Sequence, residues 1–156
     1  MLLNAPGYLF SAPGVLLLSL GPLIMLTALS DIQLGTTTLG THSMLAGSLL
    51  TILGYQIFTF GLFARVGSNP IRTPTDTLTN ALTGWLSLER GAALGVGILT
   101  LGSIHAGSLV VTWLANGLES LPFTITAIAS FTAIVLGGQT IFNAFFLSLL
   151  TDERPC

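Results

Sequence analysis

The sequence predicts an all-α integral membrane protein: four transmembrane helices in two hairpins, with a short surface helix between the second and third spans. Three observations carry this reading. Only 6% of the 156 residues are charged while 51% are hydrophobic, and mean hydropathy is +0.87; soluble domains carry about 25% charged residues. Four stretches reach the roughly 20 apolar residues that a helix needs to cross about 30 Å of hydrocarbon. All four arginines fall in connections or tails on one side of those stretches, and there is no lysine.

The first span covers about residues 10–29 and contains Pro13 and Pro22. Proline is tolerated in lipid when neighbours re-satisfy the backbone, so a kink is expected here and not a break. A signal peptide would require a basic stretch before the apolar run, and Met1 to Tyr8 has none. The second span covers 43–64 and ends at Arg65; the third covers 92–114; the fourth, 123–150, is long enough to tilt. Residues 1–156 thus read as a single membrane domain.

The turn from Ser30 to Thr41 and the turn from Ala115 to Leu121 hold acids but no base. Arg65, Arg72 and Arg90 flank the middle connection, and Arg154 is in the tail. The positive-inside rule then places that side, with both termini, in the cytoplasm. This predicts a multi-pass protein of the cytoplasmic membrane. Within the connection, Asp76 or Thr77 is a candidate helix cap. Leu78, Leu82, Trp85 and Leu86 follow on one face. They predict an interfacial helix over about 76–88; the competing reading is an early start of the third span.

"LGYQIFTFGLF" (53–63) is echoed by "LGGQTIFNAFF" (136–146). Duplicated hairpins would produce such an echo, with the second and fourth spans running the same way. Gln56 and Gln139 occupy equivalent places in it. An amide in hydrocarbon seeks a partner, so both are read as helix-packing polar residues. His42 and His105 receive the same reading. Gly91, Ala93, Gly95 and Gly97 are small residues that permit close helix approach.

No ionisable acid sits mid-span, which argues against a proton-coupled pump. Two histidines without nearby cysteine or acid are a poor metal set. No phosphate-binding glycine loop or nucleophile elbow is present. The expectation is therefore no catalytic residues, no metal and no cofactor in these residues. A net charge of −2 gives no nucleic-acid footprint. Cys156 is the single cysteine and forms no intrachain disulfide.

Four segments together resemble a known family: "APGYLFSAPGVLLLSLGPL", "LGTHSMLAGSLLTILGYQIFTFGLFARV", "LERGAALGVGILTLG" and "GGQTIFNAFFLSLL". They are similar, in order and over nearly the whole chain, to the carboxy-terminal membrane region of family 2 glycosyltransferases, the relatives of dolichol-phosphate mannose and polyprenyl-phosphate sugar synthases. The matching positions are Tyr8, Leu9, Phe10, Pro13 and Gly14; His42, with Ser43 where the family has threonine; and Gly54, Tyr55 and Gln56. They continue with Leu88, Glu89, Arg90 and Gly91, then with Gln139, Phe145, Phe146, Leu147 and Ser148. The family's catalytic domain, with its Asp-x-Asp motif, has no counterpart in these residues. Met1 stands about where that domain would hand over, which would make the chain a fragment, an internal start or a split partner.

The resemblance implies a non-catalytic anchoring and lipid-presenting module of a polyprenyl-phosphate glycosyltransferase. Activity would require a separate catalytic domain, and homo-oligomerisation is the other partnership open to it. Arg65, Arg72 and Arg90 lie at headgroup level, where arginine pairs bidentately with phosphate. They are read either as lipid-phosphate ligands or as topology markers alone, and Arg90 has Glu89 and Asp76 as rival partners. The alternative function is a free-standing small transporter or helper subunit, for which His42, His105, Gln56 and Gln139 are the only candidates for a polar path.

Overall fold

The computed structural model describes residues 6–30, 33–34, 37–38, 40–68, 88–118 and 124–152. Four helices account for nearly all of them: α1 (Pro6–Leu29), α2 (Thr41–Ser68), α3 (Leu88–Ala115) and α4 (Thr124–Asp152). Each is long and apolar enough to cross a membrane. Between α1 and α2 the turn contains a two-residue antiparallel ladder, β1 (Gln33–Leu34) against β2 (Thr37–Thr38). This minimal hairpin leaves the fold class all-α. The surface helix expected over 76–88 lies almost wholly outside the described residues, and α3 is already helical at Leu88.

Local chemistry explains the helix ends. Pro6 opens α1, where its missing N–H costs nothing. The helix then continues without interruption through Pro13 and Pro22. The Gly40 carbonyl accepts from the N–H groups of Ser43 and Met44 at the start of α2 (3.1 and 3.2 Å). The end of α3 is a Schellman turn: Leu118 N–H donates to Trp113 O (3.2 Å) and Gly117 N–H to Leu114 O (3.3 Å). Gly117 adopts the left-handed conformation this requires, with φ +71°.

Glycine seams hold each hairpin together. In the first, a Cβ placed on Gly54 would lie 2.4 Å from the backbone nitrogen of Leu18, and one on Gly21 only 2.5 Å from the backbone nitrogen of Thr51. In the second, a Cβ on Gly137 would lie 2.5 Å from Leu99 N and one on Gly95 2.8 Å from Ile141 N. Without a hydrophobic driving force between helices in lipid, such close backbone approach is how dispersion contacts accumulate.

Helices α2 and α4 join the hairpins. Ser48 meets Thr132 through their hydroxyls (2.7 Å), Tyr55 meets Thr140 (2.9 Å), and Phe63 packs edge-to-face on Phe146 (centroids 4.8 Å). Successive contacts advance together along both helices, so α2 and α4 run parallel and in register. Phe63 and Phe146 are equivalent positions of the internal echo, so the repeated segments meet one another at this seam. Ser48→Ala and Thr132→Val are each expected to weaken the seam by about 0.6–1.7 kcal/mol, the range for an interhelical hydrogen bond in a bilayer. Reversible unfolding in lipid–detergent micelles measures it, and the double variant should cost less than the two singles combined. Strict additivity would mean that the two hydroxyls do not interact.

The surface left over is greasy. Phe142, Ile104 and Leu101 are each at least 70% exposed, and only 11% of the α3 span is buried. In water this would be an aggregation surface; in lipid it is a bilayer-facing one.

Candidate functional site

Because α3 packs antiparallel on α4, and α4 is parallel to α2, the C-terminal end of α2 and the N-terminal end of α3 share one end of the bundle. Arg65 belongs to the last turns of α2 there, and Arg90 to the first turn of α3. Arg72 lies outside the described residues. Arg90 is exposed, and among the described residues it forms no ion pair, with Glu89 or any other carboxylate.

Below Arg90 runs an open groove of about 490 Å³, lined by Arg90, Ala93, Leu94, Gly97, Ile98 and Leu101. The spacing explains it: these residues recur every three or four positions and form one stripe of α3. Only the guanidinium at its head is charged. A side chain at Gly97 would meet nothing within 4 Å, so the missing Cβ leaves the groove hollow at mid-length. From Arg90 to Leu101 the helix rises roughly 16 Å, about half the hydrocarbon thickness. Free amide groups of the first turn add a positive potential at the same end. The arrangement suits an amphiphile with an anionic head and a long apolar tail.

The remaining candidates are dispersed. His42 is exposed at the start of α2, at the opposite end from Arg90. His105 is exposed on α3, roughly 22 Å of helix rise beyond Arg90. Among the described residues no three His, Cys, Asp or Glu side chains gather as a metal site. Gln56 and Gln139 are half-buried at matching positions of α2 and α4, and the Gln139 carbonyl oxygen is buried without a hydrogen-bond partner. Between α2 and α4, the described hydroxyl bridges are made by Ser48 with Thr132 and by Tyr55 with Thr140. Sequence reasoning passed over all but Tyr55, because a membrane serine or threonine usually bonds its own helix backbone, as Thr59 and Ser130 do here. The regular spacing of Ser48, Tyr55 and Thr59 along one face of α2 was the available signal.

A family model described as the glycosyltransferase family 2 C-terminal transmembrane region matches residues 65–151, more than half of the chain. The chain belongs to this family. The match begins at Arg65 and takes in Arg90, the groove and both helices of the second hairpin. A relative extends the likeness to the first hairpin: the low-salt glycan biosynthesis hexosyltransferase Agl6 of Haloferax volcanii is 41% identical over 152 residues, 97% of this chain. The chain spans 37% of that relative's length, and these 156 residues contain no Asp-x-Asp motif. They correspond to the membrane region and not to a family 2 catalytic domain. No solved structure matches the chain.

Proposed function

We propose that this chain is the non-catalytic membrane module of a polyprenyl-phosphate glycosyltransferase serving cell-surface glycan or glycolipid synthesis. It anchors a catalytic family 2 domain at the cytoplasmic leaflet and presents the carrier lipid to it. The observation that carries the reading is Arg90 at the head of an apolar groove, exposed and without an acidic partner among the described residues. A polyprenyl phosphate has its anion at headgroup depth and its isoprenoid tail in hydrocarbon, which is the polarity of this groove. Arg65 and Arg72 belong to the same end of the sequence topology and are proposed to add to the phosphate-attracting field there. Family membership and the hexosyltransferase relative support the glycan context.

The module lies in the cytoplasmic membrane with both termini inside, because an arginine-bearing face is retained on the cytoplasmic side. Polyprenyl phosphate and the uncharged polyprenol are to be titrated against the intact chain in nanodiscs. The phosphate is expected to bind at least tenfold more tightly, and equal affinity would remove the lipid-presenting role. On whole cells, an impermeant thiol reagent should label Thr36→Cys placed in a Cys156→Ser background and not Thr75→Cys in the same background. The reverse pattern would invert the topology.

A further inference from the structure

The groove occupies only the first half of α3. Its lining ends at Leu101, roughly 16 Å of helix rise from Arg90, yet the helix continues to Ala115. Beyond Leu101 the same face changes character. The next rung is Ile104 with His105, then Ser108, then Thr112, each three or four residues on, and all four are exposed. The Ser108 and Thr112 hydroxyls donate to the carbonyls of His105 and Ser108 on their own helix (2.7 and 2.8 Å). The His105 imidazole bonds to no described residue. His105 stands four residues after Leu101 and seven after Ile98, so it faces the far end of the groove. Side chains on an α-helix lean toward its N-terminus. Here that is the Arg90 end, so the imidazole leans back toward the groove. Gly97 makes the hollow; one rung past Leu101, where a second small residue would prolong it, Ile104 and His105 are both bulky.

Two measures give the part of a carrier that fits. A prenyl unit adds four main-chain carbon bonds of about 1.5 Å each, an advance of about 4–5 Å, so roughly 16 Å admits three to four units. An engineered cavity of about 150 Å³ holds benzene, or about 25 Å³ per carbon. On that scale the groove's 490 Å³ takes about 20 non-hydrogen atoms, a phosphate and three units. Lipid tails are as apolar as the groove, so a prenyl tail gains on α3 only through dispersion contacts in the hollow. Pinned across His105, a tail would find no hollow and would seal a polar ring from any water or headgroup that reaches it; fluid lipid moves aside. Building on the lipid-presenting reading, we infer that α3 holds only roughly the first three or four prenyl units next to the phosphate. His105 is the specificity-determining residue at which the rest of the tail turns out into the bilayer.

The test measures binding to the intact chain in nanodiscs, with affinity expressed per mole fraction of ligand in the bilayer so that partitioning from water does not enter. The probes are geranyl, farnesyl, geranylgeranyl and undecaprenyl phosphate and the matching alcohols. Affinity is expected to rise about threefold or more from geranyl to geranylgeranyl phosphate, a modest gain because only dispersion drives it, and to stay level from there to undecaprenyl phosphate. His105→Leu should extend the apolar face, so that undecaprenyl phosphate outbinds geranylgeranyl phosphate by about twofold or more. His105→Asn, which keeps a polar group, should leave the two level. An affinity still climbing to undecaprenyl in the unaltered chain, one already level at geranyl, or a His105→Leu chain that still ignores added length would each overturn the inference. The length profile of the unaltered chain needs no variant to fold. The alcohols separate this inference from the presenting role: a plateau shared by alcohols and phosphates, without preference for phosphate, removes that role and leaves the tail site standing. Preference for phosphate without a plateau does the opposite.

Discussion

Gly54→Leu is expected to disrupt the first hairpin, at a cost of about 3 kcal/mol or more. Overpacking a core typically costs about 1–3 kcal/mol when side chains can adjust. Here the obstacle is main chain: even a lone Cβ on Gly54 would stand 2.4 Å from Leu18 N and 2.8 Å from Leu17 C. Backbone cannot change rotamer, so α1 must move away from α2 along its length. That movement would also loosen the contacts of Gly14 with Phe58 and of Gly21 with Thr51. Gly137→Leu should do the same to the second hairpin, through Leu99 N at 2.5 Å. The comparison that isolates the cause is Gly97→Ala, together with Gly107→Ala. At both positions a Cβ meets nothing within 4 Å, and alanine favours helix over glycine by up to about 1 kcal/mol. These two should be neutral or stabilising in the same unfolding assay. If Gly54→Leu and Gly97→Ala behaved alike, the seams would not be what holds the hairpins.

That contrast also marks how far the sequence could be read. Four spans were legible because bilayer thickness acts on composition over some twenty residues, and no local detail can undo it. The helices run on beyond the spans: α2 continues to Ser68 and α3 starts at Leu88, since a membrane helix can extend past the hydrocarbon into the headgroup layer. The glycines were not separable. Gly91, Ala93, Gly95 and Gly97 read as one small-residue stripe, yet Gly91 and Gly95 are buried while Ala93 is exposed and Gly97 lines the open groove. Residues two apart on a helix face different ways, and only the position of α4 decides which face closes.

The same reasoning applies to the candidate site. Arg90 was visible as a charge at headgroup depth. The groove beneath it was not, because its hollow is made by an atom that Gly97 lacks and lies on a stripe of α3 that no other described helix covers. Likewise the echo pointed at Gln56 and Gln139, but the hydroxyl pairs beside them depend on the parallel register of α2 and α4, which the echo alone does not determine.

Two substitutions in the groove should separate recognition of the head from recognition of the tail. Arg90→Ala is expected to weaken polyprenyl-phosphate binding about tenfold while leaving uncharged polyprenol unchanged. A hydrogen bond to a charged group contributes about 1.5–3 kcal/mol, and because Arg90 is exposed the lower end applies. Arg90→Lys should recover part of the loss, keeping the charge but not the two-pronged geometry that matches a phosphate. The affinity conferred by Arg90 should also fall as salt is raised, since an exposed guanidinium is screened. Gly97→Leu acts on the other half of the ligand. It places a branched side chain in the hollow between Ala93 and Leu101, so phosphate and alcohol forms should both lose affinity, by a similar factor, without any change in salt dependence. Helix stability should not suffer, because the position faces open space. If Arg90→Ala left the phosphate's affinity intact, Arg90 would serve only to fix orientation in the bilayer. If Gly97→Leu spared both ligands, the tail would lie elsewhere on the bundle and the groove would be an incidental hollow. Loss of phosphate selectivity in the first variant and of tail affinity in the second would place the carrier along α3, with its reactive end held at the membrane surface where a cytoplasmic glycosyltransferase domain can reach it.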